Sequence, residues 1–66
     1  MDNILIIEDG STLDDNLVHI WDSDRCFWDT FIKGLDSNIT EVQWIKSTHI
    51  TFNSPESKTL FLLRYG

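Results

Sequence analysis

The sequence contains one cysteine, one proline and three glycines among its 66 residues. A single cysteine, Cys26, excludes an internal disulfide, and no Cys/His spacing suggests a structural metal site. The apolar core, or a partner, must therefore stabilise the fold. A domain of this size buries only ~60% of the surface of its unfolded chain. We therefore expect its stability to be a few kcal/mol.

Long apolar runs are also missing from the sequence. None approaches the ~18 to 20 residues that a membrane-spanning helix requires, and no charged-then-apolar leader opens the chain. Internal repeats, linkers and low-complexity segments are absent. We therefore expect residues 1–66 to form a single domain in the cytoplasm, with no membrane partner.

Basic residues are scarce, and this is the strongest global feature: five Lys and Arg stand against eleven Asp and Glu, for a net charge of −6. Residues 1–33 hold two basic and eight acidic residues, which gives 2 − 8 = −6, whereas residues 34–66 hold three of each. Such a field repels nucleic acid and anionic lipid and steers the protein toward basic surfaces. Solubility alone is the simpler explanation. The acidic residues of the first half are Asp2, Glu8, Asp9, Asp14, Asp15, Asp22, Asp24 and Asp29.

Residues 23–35 carry the clearest local pattern in the chain. At a helical period of ~3.6 residues its apolar side chains share one arc of roughly 140°. Ser23 or Asp24 is placed to cap the first turn, and Gly34 to end the helix in a left-handed conformation. The pattern predicts a helix of about three turns that carries two phenylalanines and one tryptophan into the core. The residues of the arc are Phe27, Trp28, Phe31, Ile32 and Leu35.

The segments before this helix predict two strands. Residues 3–7 form a β-branched apolar run typical of a strand buried on both faces, and Gly10 then allows a turn with positive φ. Residues 16–22 are ambiguous. A strand is favoured because valine, isoleucine and tryptophan are poor helix formers, and it would pair with the first strand as a hairpin. The alternative is a helix that begins with Ser11 or Thr12 as its cap and places Leu13, Leu17, Ile20 and Trp21 on one side.

The second half of the chain reads as β-structure. From residue 39 the apolar residues alternate, with Val42, Trp44, Ile50 and Phe52 on one face. Residues 46–48 fit either a tight turn or a bulge, residues 53–57 predict a turn, and residues 59–65 predict a last strand that is apolar on both faces. The predicted fold is therefore α+β. Its order is β-β-α-β-β-β, a mostly antiparallel sheet with one amphipathic helix on one face.

No constellation in the sequence indicates catalysis. His19 and His49 lack an oriented partner, and neighbouring carboxylates would not activate the Cys26 thiol. The acidic pairs do not follow the ligand order of a calcium loop, and no glycine-rich phosphate loop is present. We therefore predict a protein that is not an enzyme and needs no metal or cofactor.

Three tryptophans in a chain this short exceed the usual need of a core. The simpler interpretation places all three in the core, whereas the alternative puts Trp21 at a contact surface, since tryptophan is enriched at binding hot spots. Combined with the acidic first half, this predicts a small protein-binding module that docks on a basic surface of a larger protein and does not bind nucleic acid directly. The predicted partner-binding residues are Glu8, Asp9, Asp14, Asp15, Trp21, Asp22 and Asp24.

This short, acidic, cysteine-poor chain resembles the proteins that phages make against host or defence enzymes, including anti-CRISPR and anti-restriction factors. The resemblance implies a viral inhibitor or modulator in the host cytoplasm, with a DNA-mimic mechanism in which carboxylates occupy the cleft of a nucleic-acid-binding protein. An alternative function is a structural subunit that completes a neighbouring sheet through residues 59–65, as a homo-oligomer or with another chain.

Overall fold

The computed structural model describes residues 3–66, so Asp2 of the acidic first half lies outside the described residues. Within residues 3–66 an α+β fold combines three antiparallel strands with three helices. In chain order the elements are β1 (Ile4–Ile7), α1 (Thr12–Ile20), α2 (Trp28–Leu35), β2 (Ile39–Trp44), β3 (Thr48–Phe52) and α3 (Pro55–Tyr65). The predicted class is correct, whereas the predicted order β-β-α-β-β-β is wrong.

The sheet has the strand order β1-β3-β2, so the strand latest in sequence lies in the centre. Leu5 and Val42 both pair with Ile50, on either side of it. The alternating ribbon predicted from residue 39 onward is present as the β2–β3 hairpin, with Trp44 opposite Thr48. Residues 45–47 form its turn, so the choice left open at residues 46–48 falls on a turn rather than a bulge.

One face of the sheet is covered and the other is open. Leu5 and Ile7 are buried, whereas Ile4 and Ile6, on the opposite face, are exposed. Burial of β1 on both faces was therefore a wrong prediction, because the buried core lies on one side of the sheet. Along this side α2 packs on β2, and α3 packs on β1 and β3. The open face carries Ile4, Ile6, Glu41, Gln43, His49 and Thr51.

The strand predicted for residues 16–22 is not present. Residues 16–20 form the second part of helix α1 and Trp21 is its C-cap, as in the helical alternative. The Ser11 hydroxyl accepts a hydrogen bond from the backbone N–H of Asp14 at 3.3 Å and so caps the first turn. Two acidic residues in that turn favour the positive end of the helix dipole. Leu17 is fully buried in the core. A good cap and tertiary burial thus outweigh the β-propensity of Val18 and Ile20.

Helix α2 begins at Trp28, later than the predicted start at residue 23 or 24. The Asp22 carboxylate accepts from the backbone N–H of Asp24 at 3.1 Å, and this local turn competes with the helix. Phe27 therefore precedes the helix and is 81% exposed, so its predicted place in the core is wrong. Trp28 and Ile32 are buried as predicted. Gly34 lies inside the helix and does not end it in a left-handed conformation, whereas Gly10 has the predicted positive φ, at 82°.

Residues 59–65, predicted as a two-sided strand, belong to helix α3. The Ser54 side chain caps it by accepting from the backbone N–H of Ser57 at 3.3 Å, and Pro55 occupies the first turn, where its missing N–H costs nothing. Phe61 is buried, and the Tyr65 ring packs against it at a tilt of 49°, with 4.8 Å between ring centroids. This segment forms a helix, so it offers no strand with which to complete a neighbouring sheet.

The core draws residues from all six elements. Nine buried apolar side chains form one cluster: Leu5, Ile7, Leu17, Trp28, Ile32, Ile39, Ile50, Phe52 and Phe61.

The longest helix within residues 3–66 has 11 residues, and none there is long and apolar enough to cross a membrane.

Candidate functional site

The three tryptophans come from three separate elements and meet on one side of the molecule. Trp21 caps the C-terminus of α1, where its backbone N–H donates to the carbonyl groups of Leu17 and Val18. Trp28 is the first residue of α2. Trp44 ends β2 on the covered face of the sheet, opposite Thr48. The fold therefore assembles an aromatic site that no single segment of the sequence contains.

Hydrogen bonds hold two of the three indoles in place. The Trp28 Nε1–H donates to the Thr48 hydroxyl at 2.8 Å, and the Trp21 Nε1–H donates to the Cys26 carbonyl at 3.1 Å. The Trp21 and Trp28 rings meet edge to face, with 5.0 Å between centroids and 71° between planes, a favourable aromatic geometry. Trp28 is buried and Trp21 half-buried, whereas Trp44 is 61% exposed. Two of the tryptophans are therefore held in place, and the third, Trp44, is accessible to solvent.

Two adjacent depressions share these tryptophans, and we call them together the tryptophan cleft. The small depression has a volume of about 130 Å³, and the large one about 450 Å³. Both are lined by Trp21, Trp28 and Trp44. The small depression is completed by Asp9, Asp14, Val18 and Thr48. The large depression is completed by Phe27, Asp29 and Val42.

Carboxylates border the cleft without cationic partners. Asp14 Oδ2 accepts from the backbone N–H of Gly10 at 3.1 Å, which positions this carboxylate at the start of α1. Within residues 3–66 the one ion pair joins Arg25 to Asp22 at 3.4 Å. Both of its side chains are exposed, so it contributes little to stability. The negative charge of Asp9, Asp14 and Asp29 is therefore not neutralised by a neighbouring Lys or Arg of the described chain.

The structure divides the predicted partner-binding residues into two groups. Asp9, Asp14 and Trp21 line the tryptophan cleft together. The other four are exposed and do not line it, and Asp24 borders a separate depression beside Cys26 and Phe27. These four are Glu8, Asp15, Asp22 and Asp24. A role for them in binding stays a prediction.

Sequence reasoning missed several residues of the cleft. Phe27 was assigned to the core and Trp44 to the half-buried face of the ribbon, yet both are exposed. Asp29, which is outside the apolar arc of the predicted helix, lies at the edge of the large depression. The surplus of tryptophans was the available signal. The number of tryptophans does not indicate which ring is exposed, because the exposure of each ring depends on the order of the strands in the sheet.

The remaining reactive side chains lie apart from one another. His19 is exposed in the last turn of α1, and His49 lies on the open face of the sheet, within 3.1 Å of the Ser47 hydroxyl. Cys26 is half-buried in the turn between α1 and α2. Within the described part of the chain, no group of three or more His, Cys, Asp or Glu side chains could hold a metal ion.

Comparison with known proteins gives no relative: no family model, no curated protein and no solved structure matches the chain. Indole faces attract cations through their quadrupole, and carboxylates accept charged hydrogen bonds. The arrangement is suited to binding an apolar surface that carries positive charge.

Proposed function

We propose that the protein is a small protein-binding module that docks on a basic surface of a larger protein through the tryptophan cleft. One observation carries the proposal. Exposed Trp44 and Phe27 lie beside carboxylates that form no ion pair within residues 3–66. Exposed apolar patches rimmed by polar groups mark interaction sites, and tryptophan is a frequent hot-spot residue.

The aromatic side chains supply the contact area in this proposal. Trp44 and Phe27 project into solvent, while Trp21 and Trp28 are held in place beside them. Side chains that are already held in place lose little conformational entropy when a partner binds. A smaller entropic cost is therefore subtracted from the favourable free energy of contact. We therefore expect most of the binding free energy to come from this aromatic surface.

The carboxylates supply orientation and association rate. Asp9, Asp14 and Asp29 border the cleft, and the whole chain carries a net charge of −6. Charge of one sign steers a partner of the opposite sign during encounter, and this effect weakens as salt screens it. Association should therefore slow with salt, whereas the aromatic contact persists once it is formed.

A partner that uses its basic surface to hold nucleic acid would have that surface covered. The proposal thus makes the protein an inhibitor or modulator of such a partner. Nucleic acid itself is not the expected ligand, because its phosphates would meet the carboxylates of the cleft. This proposal rests on the cleft and does not require carboxylates spaced like phosphates.

The test is capture and reconstitution with matched variants. The full chain is immobilised as wild type, as Trp44→Ala and as Leu63→Ala, and exposed to an extract of its native host at low and raised salt. Leu63 is also an exposed large apolar residue, and it lies on α3 outside the cleft. A protein retained by the wild type is identified, purified and titrated against all three chains by calorimetry.

We expect wild type and Leu63→Ala to bind the purified partner with equal Kd. Trp44→Ala should weaken binding about 30-fold, which corresponds to the roughly 2 kcal/mol of a hot-spot residue. The proposal fails if Trp44→Ala binds as well as the wild type. It also fails if Leu63→Ala is the variant that loses the partner, or if the retained partner presents an acidic surface.

A further inference from the structure

The small depression of the tryptophan cleft combines aromatic walls with two carboxylates. The Nε1–H groups of Trp21 and Trp28 are already donated to Cys26 and Thr48, so these indoles offer the depression ring surface rather than hydrogen-bond donors. Apolar ring surface attracts either an apolar group or a cation. The neighbouring charges decide between them.

Those charges are negative. Asp9 and Asp14 line the same depression, and neither is paired with a Lys or Arg side chain within residues 3–66. Asp14 is held in position through its bond with the Gly10 backbone N–H. Charge complementarity therefore favours a cationic occupant over a neutral one.

The depression is large enough to admit a guanidinium group. Its volume of about 130 Å³ is roughly four times the ~30 Å³ that one water molecule occupies in the liquid. A guanidinium group has four heavy atoms. It is planar, stacks on aromatic faces, binds carboxylates through its fork of N–H donors and is more weakly hydrated than an ammonium group.

We propose that the small depression of the tryptophan cleft receives an arginine side chain displayed by the protein partner. The inference rests on the proposed function and adds the identity of the group that enters the cleft. The guanidinium lies against the ring surfaces of the tryptophans, and its N–H groups donate to Asp9 and Asp14. Lysine, methylated lysine and neutral side chains are the competing occupants.

The first test compares short peptides on the wild-type full chain. The probes are acetyl-Gly-Arg-Gly-amide, its citrulline counterpart, which has the same shape without the charge, and the lysine and trimethyllysine counterparts. Binding is followed by tryptophan fluorescence and by the NMR signals of the indole N–H groups. The arginine peptide should shift the Trp21 and Trp44 signals, and the citrulline peptide should bind about tenfold more weakly.

The second test changes the carboxylates. Asp9→Asn/Asp14→Asn removes both charges from the depression, and the new amide at position 14 keeps an acceptor for the Gly10 N–H. Glu41→Gln/Glu56→Gln is the matched control, because it also removes two negative charges but from exposed positions outside the cleft. The first variant should bind the arginine peptide about tenfold more weakly, while the second should change its affinity less than about twofold.

Three results would overturn the inference: equal affinity for the arginine and citrulline peptides, tighter binding of the lysine or trimethyllysine peptide, or equal losses in the two double variants. Its failure is distinguishable from failure of the proposed function. If Trp44→Ala still loses the captured partner while arginine and citrulline peptides bind equally, the cleft is the docking site and arginine is not its occupant. If Trp44→Ala keeps the partner, the docking proposal itself is wrong.

Discussion

The Trp28 indole donates a 2.8 Å hydrogen bond to the Thr48 hydroxyl, and this bond joins the first residue of α2 to the first residue of β3. Trp28 and Thr48 are both buried, so water does not replace either partner. Thr48 also pairs with Trp44 across the hairpin. One hydroxyl therefore fixes the base of the tryptophan cleft relative to the strand that carries its exposed ring.

Replacing Thr48 with valine should lower the free energy of unfolding by ~1 to 3 kcal/mol, because the shape is kept while a buried indole N–H loses its acceptor. Thr51→Val is the matched control on the open face of the sheet and should change stability by less than ~0.5 kcal/mol. Urea denaturation followed by circular dichroism measures both. Equal losses in the two variants would show that the hydrogen bond contributes nothing specific.

The cap of α1 is tested by Ser11→Ala. Loss of the side-chain acceptor for the Asp14 N–H should cost ~0.5 to 2 kcal/mol. Ser23→Ala is the comparison, because the sequence nominates Ser23 as a cap and the structure places it in the turn before α2. It should cost less than ~0.5 kcal/mol. Both losses are measured by thermal denaturation. An unchanged stability of Ser11→Ala would favour the strand interpretation of residues 16–22, whereas a large loss in Ser23→Ala would favour a start of α2 at residue 23 or 24.

Helix α3 buries one and exposes the other of two side chains that would lie on the same face of a strand. Phe61 and Leu63 would share one face of a strand, whereas in α3 Phe61 is 2% exposed and Leu63 is 78% exposed. Phe61→Ala should therefore destabilise the protein by ~3 to 5 kcal/mol, enough to unfold a domain this small. Leu63→Ala should change stability by less than ~0.5 kcal/mol. Similar unfolding midpoints for the two variants would contradict the helix.

Substitution by alanine should raise the free energy of unfolding at Gly34 and lower it at Gly10. Gly34 lies within α2, and a Cβ there would meet no atom within 4 Å, so Gly34→Ala should stabilise the protein by ~0.5 to 1 kcal/mol. Gly10 has φ of 82°, so Gly10→Ala should cost ~1 to 2 kcal/mol. Unfolding midpoints in urea give both values. Destabilisation by Gly34→Ala would support the left-handed helix end that the sequence suggests.

The hairpin was predictable because its pattern is local. Apolar residues alternate with polar residues along both strands, namely Val42, Trp44, Ile50 and Phe52. Such alternation is expected of a sheet that has one covered face and one open face. Residues 53–57 were misread for a physical reason. Proline has the same φ in the second position of a turn as in the first turn of a helix, so Pro55 fits both. The spacing of Ser54 to Ser57, and Gly66 at the far end, are the signals that favour a helix.

The site was predictable only in part. Asp9 and Asp14 are brought together by a short turn through Gly10, which local sequence can indicate. Trp44 joins them because β2 lies at an edge of the sheet, beside β3 and next to α2. The pairing of β2 with β3 is local, but the pairing of β1 with β3, which brings Asp9 and Asp14 to this side of the molecule, is long-range. No periodicity within residues 39–52 encodes it.

The central place of β3 has a consequence for how the chain acquires its structure during synthesis. Leu5 pairs with Ile50, so the two members of this contact are 50 − 5 = 45 positions apart in the sequence. Strand β1 is therefore synthesised before its neighbour exists, and closing so large a loop is entropically costly. Nascent chains that stop short of Thr48 should stay without a sheet, so the domain should form late and as a single cooperative step.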